Sequence, residues 1–462
     1  MLRILKKLIF SQPINFKLKG GKRTIAVFEA IGRGKNKQRM MKMITFWRKS
    51  CLRLLWGGVI ILLISPGLFS RQQTLVETSL VVNVEVPVRV FDSQGHFVDN
   101  LTIDDFEVYE DGVCQKIDAV YLIKKNLIRR KEEKKKLKPE TKRTFFLIFE
   151  ISEYTPRIGR AIDEFIERVL LSEDQLIVVT PQKTYRLKEI SVKVKKRKEI
   201  ANELKARLRR DANMGAADYR SALRDLQNLA AKITSALATD NQQAGPADSN
   251  IPLNLGDMEV LINQYMSYLQ KLEVLRRVDE LRLMDFARYL KTVEGQKYVF
   301  LLYQREFIPQ IEEKVWIQAA SLYQNEEGID LRHFIADIME LYKRDVSVDV
   351  EKIKRAFADA STSIHFLYLT EPKKHIPGVT FVERTGDIFA PFVEMARASG
   401  GFYDSSYNPQ FLFRKALQAA ENYYLLYYTP KTPIGEGKFR HIKVKVKRTG
   451  VRIIHRLGYY AY

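Results

Sequence analysis

Cysteine is nearly absent from this 462-residue chain, with two residues, and histidine is scarce, with six. So little cysteine excludes the disulfide framework on which small secreted domains depend. The length allows two or three domains, each with its own core, so no such staples are needed. The histidines, at 96, 333, 365, 375, 441 and 455, form no HExxH or other metal-ligand spacing. His365 falls in a buried-strand pattern and reads as a satisfied core residue. There is no Gly-x-Ser-x-Gly elbow, and Cys114 lies in a strand pattern without a histidine near it in sequence. GEGKF, 435–439, lacks the Walker spacing and the Ser/Thr after Lys438, so it reads as a hairpin turn. Carboxylate pairs such as Asp104 and Asp105 follow turn chemistry. Nothing in this inventory argues for an enzyme.

Acidic residues are also short, 55 against 77 Lys and Arg, for a net charge of +22. The excess is concentrated. Residues 1–53 carry fifteen basic residues against the single acid Glu29, and 124–138 carry nine against two. These two stretches hold nearly all of the net charge, so the remainder is close to neutral. A basic face spread over a folded domain, the footprint of a nucleic-acid binder, is therefore not supported, and no nucleic-acid partner is expected.

One long apolar run is present, LLWGGVIILLISPGLF at 54–69, preceded by Lys42, Arg48, Lys49 and Arg53. Its length suits a signal peptide and is short for a spanning helix. Ser65, Gly67 and Ser70 offer cleavage points. An uncleaved anchor in the membrane is the alternative, and in both cases the rest of the chain lies outside the cytoplasm. Met40, Met41 and Met43 each stand where an ordinary signal would begin, so the first 39 residues read as an upstream start assignment. With Cys51 inside the signal, the exported part keeps one thiol.

The pattern then divides the chain into a basic extension (1–42), the signal or anchor (43–70), a β domain (76–123) and a basic linker (124–142). An α/β domain (143–428) and a C-terminal β segment (429–462) follow. Val82, Val84, Val86, Val88 and Val90 alternate with other residues, as in a half-buried strand. DFEVYEDG, 105–112, supplies a strand and an Asp-Gly hairpin turn. The linker has almost no apolar content and reads as solvated. Contact with anionic lipid or cell-wall polymer is its sharper reading. TFFLIFEI, QLIVVT, KYVFLLY and SIHFLYL are continuous apolar runs separated by helical segments, the mark of a doubly wound, mostly parallel sheet. A helical insertion spans 193–295. Its last helix, 257–293, carries Leu261, Tyr265, Tyr268, Leu272, Leu275 and Val278 in one stripe, over roughly 55 Å at 1.5 Å per residue. That stripe is expected to pack within a helical hairpin. The terminal runs YYLLYYTP, FRHIKVKVKR and VRIIHRLGYYAY read as strands, expected to pair with the first β segment around the inserted α/β unit. Alternate faces of these strands should bury about half of their tyrosines.

VPVRVFDSQGHFVDNLTIDDFEVYEDG, the strand-helix start at Phe145, ARASGGFYDSS, YYLLYYTP and KFRHIKVKVKRTGVRIIHRLGYYAY together resemble one family. It is the group of exported von Willebrand factor A (VWFA)-related domain proteins of the Acidobacteria type. The resemblance covers about 76–462, with the helical insertion enlarged. It implies a Rossmann-like, doubly wound von Willebrand A domain flanked by an antiparallel β domain from both chain ends. It further implies extracytoplasmic binding of another protein, with no enzymatic activity.

In such A domains the first strand ends in Asp-x-Ser-x-Ser and helps to hold a divalent ion. Here the matching stretch is LIFEISEYTP, 147–156, where Glu150 replaces the Asp, Ser152 is kept and Tyr154 replaces the second Ser. Arg305 stands near the position of a later Asp and is expected to pair with Glu150. A phenol oxygen lies too far out to replace a serine hydroxyl, and Mg²⁺ tolerates little departure from its octahedron. Glu150 and Ser152 are thus read as remnants of a degenerate metal-ion-dependent adhesion site. No cofactor is expected there, with Mg²⁺ kept as the alternative. Glu150, Ser152, Tyr154 and Arg305 are the candidate partner-binding residues, because ligands meet α/β sheets at the carboxyl ends of strands. The sequence supports an exported non-catalytic adhesion module. A membrane-tethered envelope scaffold and an unrecognised envelope hydrolase are the alternatives.

Overall fold

The valine alternation forms β1 (Val84–Phe91), with Val86, Val88 and Val90 completely buried on one side. In the computed structural model the described residues are 83–462, apart from 188–192, 239–253, 277–278, 324–330, 344–347, 371–374, 384–385, 432–434 and 436. The basic extension and the signal or anchor lie outside the described residues. No described helix is long and apolar enough to cross a membrane.

Next come β2 (Phe106–Glu110) and β3 (Val113–Gln115). Asp111 and Gly112 between them both have positive φ, 46° and 85°, as a two-residue hairpin turn demands. β4 (Ile117–Lys124) pairs antiparallel with β5 (Leu127–Glu133). The strand β5 corrects the reading of 124–142 as a solvated linker. It sits at a sheet edge, so backbone hydrogen bonds to β4 suffice while its charged side chains remain in water.

The α/β unit opens with β6 (Arg143–Glu150) and α1 (Pro156–Glu164), which runs into a π turn, Phe165–Val169. β7 (Gln175–Val179) and β8 (Thr184–Leu187) follow, then α2 (Arg197–Gly215) and α3 (Ala217–Ala238). The expected long helix is two: α4 (Leu255–Arg276) and α5 (Glu280–Thr292). Asp279 starts the second, its carboxylate accepting the Arg282 N–H, which is the work of a helix N-cap. Then come β9 (Gln296–Gln304), β10 (Phe307–Ile311), α6 (Glu313–Leu322), α7 (Leu331–Tyr342) and α8 (Val350–Asp359). β11 (Thr362–Leu369), β12 (Val379–Glu383), α9 (Gly386–Ala398), β13 (Tyr403–Ser406) and α10 (Pro409–Glu421) complete the unit. The chain closes with β14 (Asn422–Tyr428), β15 (Lys438–Val446), β16 (Arg452–His455) and β17 (Gly458–Ala461).

The result is a mixed α/β protein with several sheets. A six-stranded sheet runs β13-β11-β9-β6-β7-β8, parallel except for β8. One face packs on α1, α2 and α10 through Phe145, Leu147 and Phe149, the other on α5, α8 and α9 through Phe146 and Ile148. Helices α3, α4, α6 and α7 form a separate core on the two-stranded ladder β10–β12, where Tyr265 and Leu272 of the stripe are buried. Two antiparallel sheets, β16-β1-β14-β4-β5 and β17-β15-β2-β3, enclose another core. Val86, Val88 and Leu426 from the first meet Val108, Ile442 and Val444 from the second.

All four tyrosines of β14 are buried, against the expectation of about half. β14 lies between β1 and β4, with one face in the sandwich core and the other, Tyr423, Leu425 and Tyr427, in a second cluster. A strand covered on both faces has no solvent side. Glu110, buried between the sheets, accepts the Tyr428 and Tyr459 hydroxyls at 2.7 and 2.8 Å and Arg440 Nη1 at 2.7 Å. Glu110→Gln removes the buried carboxylate that pairs with Arg440 and should lower the unfolding free energy by about 3 kcal/mol or more. Urea titration of the purified chain measures it, and a loss below about 1 kcal/mol would show that the ion pair is dispensable.

Candidate functional site

The strand order reverses at β6, with β7 on one side and β9 on the other, and in open α/β sheets such a reversal, at the carboxyl ends of the strands, is where ligands are generally met. The segment after β6 crosses this end. Gln304, the buried last residue of β9, turns its side-chain Oε1 toward it. That oxygen accepts the Ser152 N–H at 2.7 Å, the Ser152 hydroxyl at 3.2 Å and the Glu153 N–H at 2.9 Å. From α3, Arg220 Nη1 donates to the Ser152 carbonyl at 2.6 Å. Ser152 is thereby fixed from both sides while its side chain stays half-buried.

Tyr154 lies against α1. A Cβ at Gly159 would collide with its hydroxyl, so the glycine makes room for the ring. Arg209 of α2 sits over that ring, 5.8 Å from the centroid. Burial raises the Tyr154 pKa more than Arg209 lowers it, so the side chain remains a neutral phenol. Glu150 belongs to the other face, where it lines an apolar recess with Ile148, Phe286 and Phe392.

The expected Arg305–Glu150 pair gives way to a different one. Arg305 Nη1 donates to Glu383 Oε2 at 3.1 Å and Nη2 to Ser405 Oγ at 3.2 Å, with the guanidinium 4.6 Å from the Tyr368 ring centroid. Strand register is the reason. Glu150 is opposite Tyr303, whereas Arg305 lies two residues further on and its N–H bonds to Leu369 O at the end of β11. Arg305 therefore follows β11, away from β6. Its partners Glu383, Tyr368 and Ser405 come from β12, β11 and β13, and no local sequence pattern joins them. Gln304 was the more legible omission, since it is a polar residue ending an apolar strand.

The oxygens that the resemblance assigns to a divalent ion are engaged separately. Ser152 Oγ is bonded to Gln304, the Tyr154 phenol lies over α1, and Glu150 lines an apolar recess. These residues do not fit a cage of hard oxygens around Mg²⁺. Among the described residues no group of three His, Cys, Asp or Glu side chains is placed to hold a metal. Thr180, after β7, is bonded through its hydroxyl to Asp211 at 2.8 Å, and Tyr185 donates to the same carboxylate at 2.6 Å. His365 is a core residue but not a satisfied one. It is completely buried and stacked on Phe300 at 4.8 Å, with neither ring nitrogen hydrogen-bonded among the described residues. Burial holds its pKa well below the usual histidine value.

No family model and no curated protein matches the chain. Among solved structures, the human COPII-coat protein Sec24c is similar at 9% identity and a TM-score of 0.23, over 70% of this chain and 44% of that one. The chain thus spans less than half of that protein, and a likeness so low carries no argument about fold or activity.

Gln304→Ala removes the acceptor shared by Ser152 and Glu153 and should cost about 1–3 kcal/mol. Amide hydrogen exchange at Ser152 and Glu153 should accelerate more than at β6 itself, and unchanged protection at both would contradict the arrangement.

Proposed function

We propose that this protein is an exported, non-catalytic binding module of the von Willebrand A-related type that engages another protein at the carboxyl end of its six-stranded sheet, without a metal ion. The observation that carries this reading is the strand order. Counted along the α/β unit, the order 6-5-4-1-2-3 is that of a doubly wound Rossmann-like sheet, with one antiparallel edge strand, and it puts the reversal beside Ser152. Ser152 and Tyr154 at that point, and Arg305 farther along the same end of the sheet beside β11, are half-buried, polar and held by hydrogen bonds or ring contacts. Pre-formed polar and aromatic groups of this kind bind a partner with little ordering cost. Glu150, lining its recess, supports the apolar wall beneath rather than the contact surface.

The signal segment supports release into, or tethering at, the extracytoplasmic face. Fractionation with measurement of the N-terminal peptide mass of the exported chain separates release from a retained anchor. Affinity capture from envelope extract with the purified chain should give the same specific partner in EDTA and in Mg²⁺. Arg305→Gln, which removes the charge but can still donate to Glu383 and Ser405, should reduce its recovery at least tenfold while the far-ultraviolet spectrum of the folded chain is unchanged. Recovery that requires Mg²⁺, or that is indifferent to Arg305→Gln, would refute the metal-free site.

A further inference from the structure

The opposite end of the same sheet carries a second feature that this function does not use. Where β9 and β11 begin, they meet the outward face of β1, and Arg89, Lys297, Arg456, Ser363 and Ser399 line a recess there. Arg89, Lys297 and Arg456 are 2%, 7% and 8% exposed. Three buried cations in one place are costly unless anionic groups face them.

Among the described residues only two carboxylates stand near the three cations. Glu85 accepts Gln296 Nε2 at 2.8 Å and the Tyr427 hydroxyl at 2.7 Å, both neutral donors, so it keeps its charge and acts on Arg456 and Lys297. Asp359 pairs with Lys291 at 2.7 Å and accepts the Tyr460 N–H at 2.8 Å. Arg456 donates to the Glu85 backbone carbonyl at 2.7 Å and lies 5.8 Å from the Tyr459 ring centroid. Arg89 reaches the Gly400 carbonyl at 2.6 Å and the Ser363 hydroxyl at 2.9 Å. The Nε of both arginines is buried with no hydrogen-bond partner among the described residues. Lys297 makes no ion pair among them either. His365 and His455, both near this group, have pKa values lowered first by burial, so they add no charge at neutral pH.

We infer that this recess is a binding site for a small monovalent inorganic anion of chloride size, held by Lys297, Arg456 and Arg89 between the sandwich and the α/β sheet. Charge selects an anion. Size excludes sulfate and larger oxyanions, because the free space in the recess is close to that of a single water. The bound ion adds to the counter-charge of Glu85 and Asp359, which two carboxylates alone do not bring to neutrality against three cations, and so joins β1 to the starts of β9 and β11. Burial, and then Arg456, lower the Lys297 pKa to about 8. The site therefore carries its full positive charge at neutral pH and loses one charge above about pH 8.

The test uses the full-length chain at pH 7, with chloride replacing gluconate at constant ionic strength. The melting temperature should rise saturably by several degrees. The rise should shrink when the titration is repeated at pH 9. Lys297→Met removes one buried cation and should melt higher than the parent in gluconate while losing most of the chloride response. Arg456→Gln should weaken that response at least tenfold in apparent affinity. Bromide should replace chloride, giving an anomalous diffraction peak beside the Lys297 ammonium. A response that does not saturate, that is equal in parent and variants, or that appears with sulfate but not chloride would overturn the assignment. So would a bromide-soaked crystal with no peak at the recess.

Discussion

The structure depends on one strand that arrives late in the chain and is buried on both sides. β14 enters between β1 and β4, with Val84 opposite Tyr428 and Lys124 opposite Asn422. It follows α10 directly, so the last helix of the α/β unit delivers the central strand of the sandwich. Its composition answers both demands. Tyrosine supplies a large apolar ring for burial and a hydroxyl that must find a partner. Tyr424, Tyr427 and Tyr428 bond to Val98 O, Glu85 and Glu110 respectively, and so tie three different parts of the first β segment to one strand.

Much of this architecture is legible because each type of burial leaves its own periodicity. β15 alternates because one face is wet, and β1 because its outward face carries polar side chains against the α/β unit, whereas β6, β9 and β11 are continuous because helices cover both faces. The Asp-Gly turn is legible from backbone sterics alone. Other elements are less so. β5 is highly charged and forms a strand only because β4 offers it a ladder. β10 and β12 are short, far apart in sequence and stabilised by the helical core above them. The division between α4 and α5 rests on a single capping carboxylate within a pattern that otherwise reads as one helix.

The candidate site was legible in place but not in detail. The end of β6 follows from the apolar run, and the residues on it follow from the resemblance. The pairing of Arg305 does not, because it is decided by a two-residue offset between β6 and β9 and by a hydrogen bond to β11. His365 makes the same point from the interior: periodicity says that it is buried, not whether its nitrogens are bonded. The two ends of the six-stranded sheet are also chemically unlike. At the carboxyl end the loop after β6 is fastened to Gln304 and Arg220, while at the amino end cations gather with fewer carboxylates than they need.

The placement of β14 also sets an order of events. β1, β4 and β5 are made early, but the neighbour that β1 and β4 share is separated from them by the whole α/β unit. At about 5–20 residues per second, roughly 300 intervening residues mean a wait of about 15–60 s before the partner strand exists. During that interval the apolar edges of β1 and β4 are open to wrong pairing. Closing so long a loop is slow in itself, since its entropy is lost before any contact rewards it. The α/β unit can form from its own local strand-helix pairs in the meantime. The sandwich is therefore the last part to close.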